Sequence, residues 1–233
     1  MRVVLWNCKD GINKQSQVDY FNNFEADLAI LPELKEKNIE TLSPDSAIWV
    51  TNNHYNRYPK GLGVLSFNGF NLEEYPRDEE MEIFIPLKVF KEEFSMNLLA
   101  VWNFYWACKQ GRFKDVRGDN CLEWSALRHY KPLFDDPIMV AGDWNFGPTL
   151  YPKEFDKLDG MLEKSGLKSL YHIFHKIPLL ESNHMTFRAP TGHLHHLDHI
   201  FGSKYFYANM KKLSVGDLES AVLSDHAPII LDM

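Results

Sequence analysis

Short runs of apolar, β-branched and aromatic residues recur along the chain, at residues 2–6, 28–31, 48–51, 63–67, 83–90, 98–102, 138–141, 184–187, 196–201 and 229–231. Runs this short, set between turn-forming residues, read as strands rather than helices. Three other stretches repeat at helical spacing. One passes through Leu122, Ala126, Leu127, Tyr130 and Leu133, behind Asn120 as N-cap with Glu123 three residues on. A second covers 151–165, opening with Pro152 in its first turn and stopping at Gly166, and a third covers 17–24. So many strands exceed what one strongly twisted open sheet usually carries, and the pattern predicts an α+β architecture of two packed sheets with helices outside. No repeat, low-complexity tract or Pro/Gly/Ser-rich linker interrupts the 233 residues, which are expected to form a single domain over 1–233.

Composition removes several classes. Apolar residues supply 45% and charged residues 24%, ordinary globular usage that argues against disorder, a collagen-like repeat or a long coiled coil. With 25 basic against 32 acidic residues the net charge is −7, so any contact with a polyanion must be local rather than a broad cationic field. No apolar run approaches the ~20 residues of a bilayer crossing, and no membrane partner is expected. The opening residues lack the basic start and apolar centre of a secretory signal, which predicts a cytoplasmic location. Cys8, Cys108 and Cys121 are far apart and form no Cys-x-x-Cys pair, so neither a disulfide framework nor a thiolate zinc site is expected.

Polar residues gather at the ends of the apolar runs, where a rigid scaffold can aim them into a shared cleft. Asn7 follows the first run and Glu33 follows the second. Each alone is better explained as a turn or loop residue. Asp143 and Asn145 follow the run 138–141, and a two-residue spacing in extended backbone puts both on one face. A carboxylate beside an amide suits proton acceptance next to a group that holds the reacting atom, although an Asx turn fits the same residues. Asp225 and His226 precede the last run, and Asp198 lies within an alternating strand, where it is placed to orient and charge His226 as a carboxylate does for an imidazole in hydrolases. His193, His195 and His199 have spacing that an extended strand could align around zinc, but no fourth ligand is evident and a solvated strand face explains them more simply.

The ordered combination of Asn7, Glu33, Asp143 with Asn145, Asp198, and Asp225 with His226 resembles the endonuclease/exonuclease/phosphatase superfamily. That group includes AP endonucleases, pancreatic-type deoxyribonucleases, neutral sphingomyelinases and inositol polyphosphate 5-phosphatases. Gly142-Asp143-Trp144-Asn145 is similar to its Gly-Asp-x-Asn element, Ser224-Asp225-His226 to its Ser-Asp-His element, and Leu31-Pro32-Glu33 to its Gln-Glu or Pro-Glu element. Gly61-Leu62-Gly63-Val64 and Met185-Thr186-Phe187-Arg188 are similar to two further strands, so the resemblance spans the chain. It implies a four-layer α/β sandwich, two mixed sheets packed face to face with helices outside, in agreement with the two sheets inferred from the strand pattern.

The resemblance also implies a mechanism. A divalent ion, usually Mg²⁺ with Mn²⁺ as a substitute, would sit on Glu33, helped by Asn7 and Asp225. Asp143 would position or deprotonate the attacking water, Asn145 would hold the phosphate, and His226 paired with Asp198 would stabilise charge on the phosphoryl oxygen. Where relatives place Tyr or His, this chain offers Trp102, with Asn103 and Tyr105 as hydrogen-bonding substitutes. Beyond lies a basic, aromatic stretch over 106–117 that includes Lys109 and Arg112 and suits a polynucleotide strand, though a solvated loop explains it equally well. A metal-dependent hydrolase acting as a nuclease on nucleic acid is the expected function. The alternatives are a phosphatase or phosphodiesterase on a small or lipid phosphate, and a catalytically inactive binding module of the same fold.

Overall fold

Side-chain alternation along the strands decides the layering. The structure is a computed structural model that describes every residue except 10, 52–59, 82, 104–112, 114, 115, 117 and 219–222. Strand β1 (Arg2–Leu5) sends Val3 and Leu5 one way and Val4 the other, and all three are fully buried. A strand buried on both faces lies inside a sandwich that has helices outside.

The first sheet has the order β13-β14-β1-β2-β4-β3, with β2 at Leu28–Leu34, β3 at Ser46–Thr51, β4 at Gly61–Ser66, β13 at Lys212–Val215 and β14 at Ile229–Asp232. The second has the order β5-β6-β7-β8-β12-β9, formed by Asn71–Glu74, Phe84–Lys91, Phe94–Trp102, Ile138–Asp143, Asp198–Gly202 and Lys168–Ser169 respectively. A two-stranded ribbon pairs β10 (Phe187–Arg188) with β11 (Leu194–His195). Each large sheet is mixed: β1 runs parallel to β2, and β7 runs parallel to β8.

Val3, Leu5, Leu28, Ile30 and Val64 of the first sheet meet Ile85, Leu87, Leu98, Ala100, Met139 and Ala141 of the second in one continuous core. The opposite face of the first sheet, with Val4, Ala29 and Leu31, packs under helix α1 (Gln15–Asn22) through Val18 and Phe21. The opposite face of the second, with Leu99, Val101, Val140 and Phe201, packs under α2 (Leu122–His129) and α3 (Pro152–Glu163) through Leu127, Phe155 and Leu158. Helices α4 (Leu170–His175) and α5 (Lys204–Asn209) add Leu170, Tyr171 and Phe206 to the central core. Burying each such side chain contributes ~1.5–3 kcal/mol, and a one-residue slip would turn a whole strand's apolar set the wrong way. Four layers follow, as the sequence predicts.

The differences are local. Helix α2 begins one residue later than expected, with Cys121 as its N-cap and Asn120 in the preceding 3₁₀ turn. The predicted strand at 184–187 shrinks to β10, and the one at 196–201 starts at Asp198. Two strands lie outside the predicted runs: β5 (Asn71–Glu74) is mostly polar, while β13 (Lys212–Val215) alternates polar with apolar and puts Leu213 in the core, but over only four residues.

Candidate active site

Both parallel pairs and their antiparallel neighbours bring polar residues to one rim of the sandwich. Asn7 follows β1, Asp143 ends β8, and Asp198 begins β12 directly opposite Asp143 in the antiparallel register. His226 enters just before β14 and its backbone is fixed from two sides, one of them tied in turn to Asn7. Its carbonyl accepts from Trp6 Nε1 at 3.0 Å, its backbone N–H donates to Ser224 Oγ at 3.0 Å, and Ser224 Oγ donates to the Asn7 carbonyl at 2.7 Å. Thr186 holds Asp198 in turn: its Oγ1 accepts from the backbone N–H groups of Leu197 at 2.9 Å and Asp198 at 3.1 Å.

The centre is a buried trio. His226 Nδ1 donates to Asp198 Oδ2 at 2.8 Å, and His226 Nε2 stands 4.0 Å from Asp143 Oδ2. Burial opposes a charged imidazole, but Asp198 and then Asp143 outweigh it and hold the His226 pKa up at about 9, so the ring is an imidazolium at neutral pH. Burial, reinforced by the charge of Asp198 across the ladder, pushes Asp143 up to about 7. Ligand atoms of Asp143, Asp198 and His226 all lie within 4.8 Å of one another, a grouping whose carboxylates can hold a metal ion, with His226 joining them only when its Nε2 is deprotonated.

Amides frame Asp143. Its Oδ2 accepts from Asn7 Nδ2 at 2.9 Å and Asn145 Nδ2 at 3.2 Å, and its Oδ1 accepts from the Asn145 backbone N–H at 2.9 Å. The last bond is an Asx turn, and Asn145 has φ of 55°. Asp143 and Asn145 therefore meet because the chain turns, and not because extended backbone places them on one face. Asn145 Nδ2 also donates to the Asn103 carbonyl at 2.7 Å, while Asn103 Nδ2 donates to the Trp144 carbonyl at 3.2 Å. Both amides thus serve to hold the Asp143 turn.

Glu33 stands beside this group. Its Oε1 accepts from Asn7 Nδ2 at 3.3 Å and its Oε2 pairs with Lys60 Nζ at 2.6 Å. Asp225 points to Lys9 Nζ at 2.9 Å and lies outside the buried trio. Trp102 is 2% exposed and packs in the core between the sheets, so its indole faces the core and is not offered to a substrate. Tyr105, Lys109 and Arg112, with most of the basic aromatic stretch, lie outside the described residues.

The zinc reading of the histidines does not hold among the described residues. His195 ends β11 and His199 lies in β12, so the two do not share one strand face, and His193 is exposed. His199 Nε2 donates to the Phe146 carbonyl at 3.0 Å. The rings of His196 and His199 lie 5.0 Å apart, against Tyr171 and Phe155 respectively. Burial lowers His196 to about 4 and His199 well below its usual value, so both are neutral packing elements.

The same overall arrangement occurs in solved proteins. A 3′ phosphatase from Neisseria bound to product DNA hairpin superimposes with a TM-score of 0.67 at 17% identity, covering 100% of this chain and 99% of that one. An AP endonuclease from Archaeoglobus fulgidus gives a TM-score of 0.67 at 14% identity, and an endonuclease/exonuclease/phosphatase family protein from Leptotrichia buccalis gives 0.66 at 13%, each with 100% and 99% coverage. The chain has the endonuclease/exonuclease/phosphatase fold. No protein-family model matches it, and no curated protein matches it in sequence.

Within this fold, four supporting residues escape a reading based on chemistry alone. Ser224 and Thr186 sit inside recognised motifs, yet their work is to fix His226 and Asp198 through backbone bonds. Lys9 and Lys60 precede or follow strands with no pattern that marks them, and only the folded chain brings them to Asp225 and Glu33.

Proposed function

We propose that the protein is a Mg²⁺-dependent phosphoesterase that hydrolyses phosphodiester bonds of nucleic acid. The observation that carries the proposal is the geometry of His226, held on Asp198 at 2.8 Å and facing an amide-framed Asp143 across 4.0 Å. Two groups that can donate and accept protons around one point suit attack of water on phosphorus.

The donor set fits a hard divalent cation: Glu33 lies against Asn7, Asn7 Oδ1 accepts from the Lys9 backbone N–H, and Lys9 reaches Asp225, so carboxylate and amide oxygens gather at one rim. Glu33, Asn7 and Asp225 would hold the ion, with Mn²⁺ able to replace Mg²⁺ on the same oxygens. Once bound it supplies charge to a phosphoryl oxygen and to the leaving oxygen. The chain's own groups do the rest. Asp143, kept in place by Asn7 and Asn145, orients the water and takes its proton. His226 donates Nε2–H to the phosphoryl oxygen on which charge develops, and Asp198 keeps the ring protonated and aimed. The 3′ phosphatase whose structure contains a DNA hairpin supports nucleic acid as the substrate class. Free thiols at Cys8 and Cys121 suit a reducing, cytoplasmic setting.

The net charge of −7 favours a second reading, a phosphatase or phosphodiesterase acting on a small or lipid phosphate. Wild type and Asp143→Asn incubated with Mg²⁺ against plasmid DNA, single-stranded DNA, RNA, an abasic duplex and a generic phosphodiester separate the two. Cleavage of a nucleic acid, lost with chelator and reduced at least about a hundredfold by the substitution, is the expected result. Turnover of the generic ester alone selects the second reading. No turnover of anything by wild type would point to the binding module.

A further inference from the structure

Both oxygens of Glu33 are already occupied by donors of the chain itself. Oε1 faces Asn7 and Oε2 faces the Lys60 ammonium at 2.6 Å. The lysine is not there by the reach of a loose loop. Lys60 directly precedes β4, whose Gly61 pairs with Leu34, the residue after Glu33, across the register shift between Pro32 and Leu34. At Gly61 a Cβ would overlap the Val50 carbonyl, so the strand start is pressed against β3 and cannot drift. Glu33 is fixed too, at φ of 65° on that bulge. The side chains are only 23% and 19% exposed. Asp225 carries a lysine in the same way, Lys9 at 2.9 Å.

We propose that Lys60 is a tethered counter-cation that competes with the divalent ion for Glu33 and so sets the affinity of the metal site. This rests on the metal-dependent reading above. The ammonium pairs with Glu33, which Asn7 Nδ2 links to the buried Asp143, where an unpaired further carboxylate would be costly. A metal ion must displace it to reach Oε2, and its intrinsic affinity is reduced by the strength of that pair. Lys60 is therefore a positioning residue for the metal, acting through Glu33.

The test is direct titration of Mn²⁺ and Mg²⁺ into the chelator-stripped protein, by calorimetry and by electron paramagnetic resonance of free Mn²⁺. The forms compared are wild type, Lys60→Met, Lys37→Met, Glu33→Gln and Lys60→Met combined with Glu33→Gln. Lys37 is exposed and gives the same change in net charge. A partly buried ion pair predicts about fivefold tighter metal binding for Lys60→Met, against less than about twofold for Lys37→Met, whose charge is screened. In the Glu33→Gln background, Lys60→Met should give no gain over Glu33→Gln alone. Equal affinities for Lys60→Met and Lys37→Met, or a gain that survives Glu33→Gln, overturn the role of Lys60 while leaving the metal site standing. No metal binding by any form, wild type included, overturns both this inference and the metal-dependent reading.

Discussion

Two residues of the site, Glu33 and Asn145, hold left-handed backbones, with φ of 65° and 55°. Asn tolerates that conformation through its short polar side chain, whereas Glu adopts it at a cost of ~1–2 kcal/mol. Glu33→Gly is therefore expected to be more stable than Glu33→Ala by about 1 kcal/mol, although both lose the Lys60 pair; urea denaturation of the two variants checks this. The individual chemical residues were legible because each ends an apolar run. Their partners were not: a serine or threonine that bonds a backbone N–H, or a lysine that finds a carboxylate far along the chain, leaves no periodic trace. Trp102 shows the converse, a residue singled out for the motif position it occupies and claimed instead by the core.

Elements matter where they approach most closely. At Gly142, paired with Val101 in the parallel ladder, a Cβ would overlap the Val101 backbone. Gly142→Ala must push β7 from β8 immediately before Asp143, and a loss of about 3 kcal/mol in thermal or urea unfolding is expected, together with loss of activity. Helix α4 and strand β12 meet around neutral histidines, and this contact gives a pH dependence. The folded pKa of His196, about 4, lies below its usual 6.5, so as pH falls through 6.5 the unfolded chain takes up the proton first and stability is lost. The stability advantage of wild type over His196→Asn should accordingly narrow by about 2 kcal/mol between pH 7.5 and pH 5, measured by denaturant midpoints. The strongly alternating strands and the helix opened by Pro152 were readable from the sequence. Edge strand β5 was not, because an edge needs little apolar alternation when one side faces solvent, and β13, which does alternate through Leu213 and Val215, is too short to stand out as a run.

The whole molecule assembles the site from two halves. Asn7, Glu33 and His226 come with the first sheet, while Asn103, Asp143 and Asp198 come with the second. Activity and near-UV circular dichroism should then disappear at one urea midpoint, since neither half retains a functional trio alone; separated midpoints would show that the rim opens independently of the core. The interleaving of the sheets also orders events on the ribosome. The second sheet is built from the continuous segment 71–202, but β1 waits for β14, residues 229–232, to cover its second edge. A nascent chain therefore carries an unprotected apolar edge at Val3–Leu5 until residues 229–232 have emerged, a stretch for holdase chaperones to shield. His226 emerges with the same late segment, so the chain acquires its reactive imidazole only when that edge is about to close.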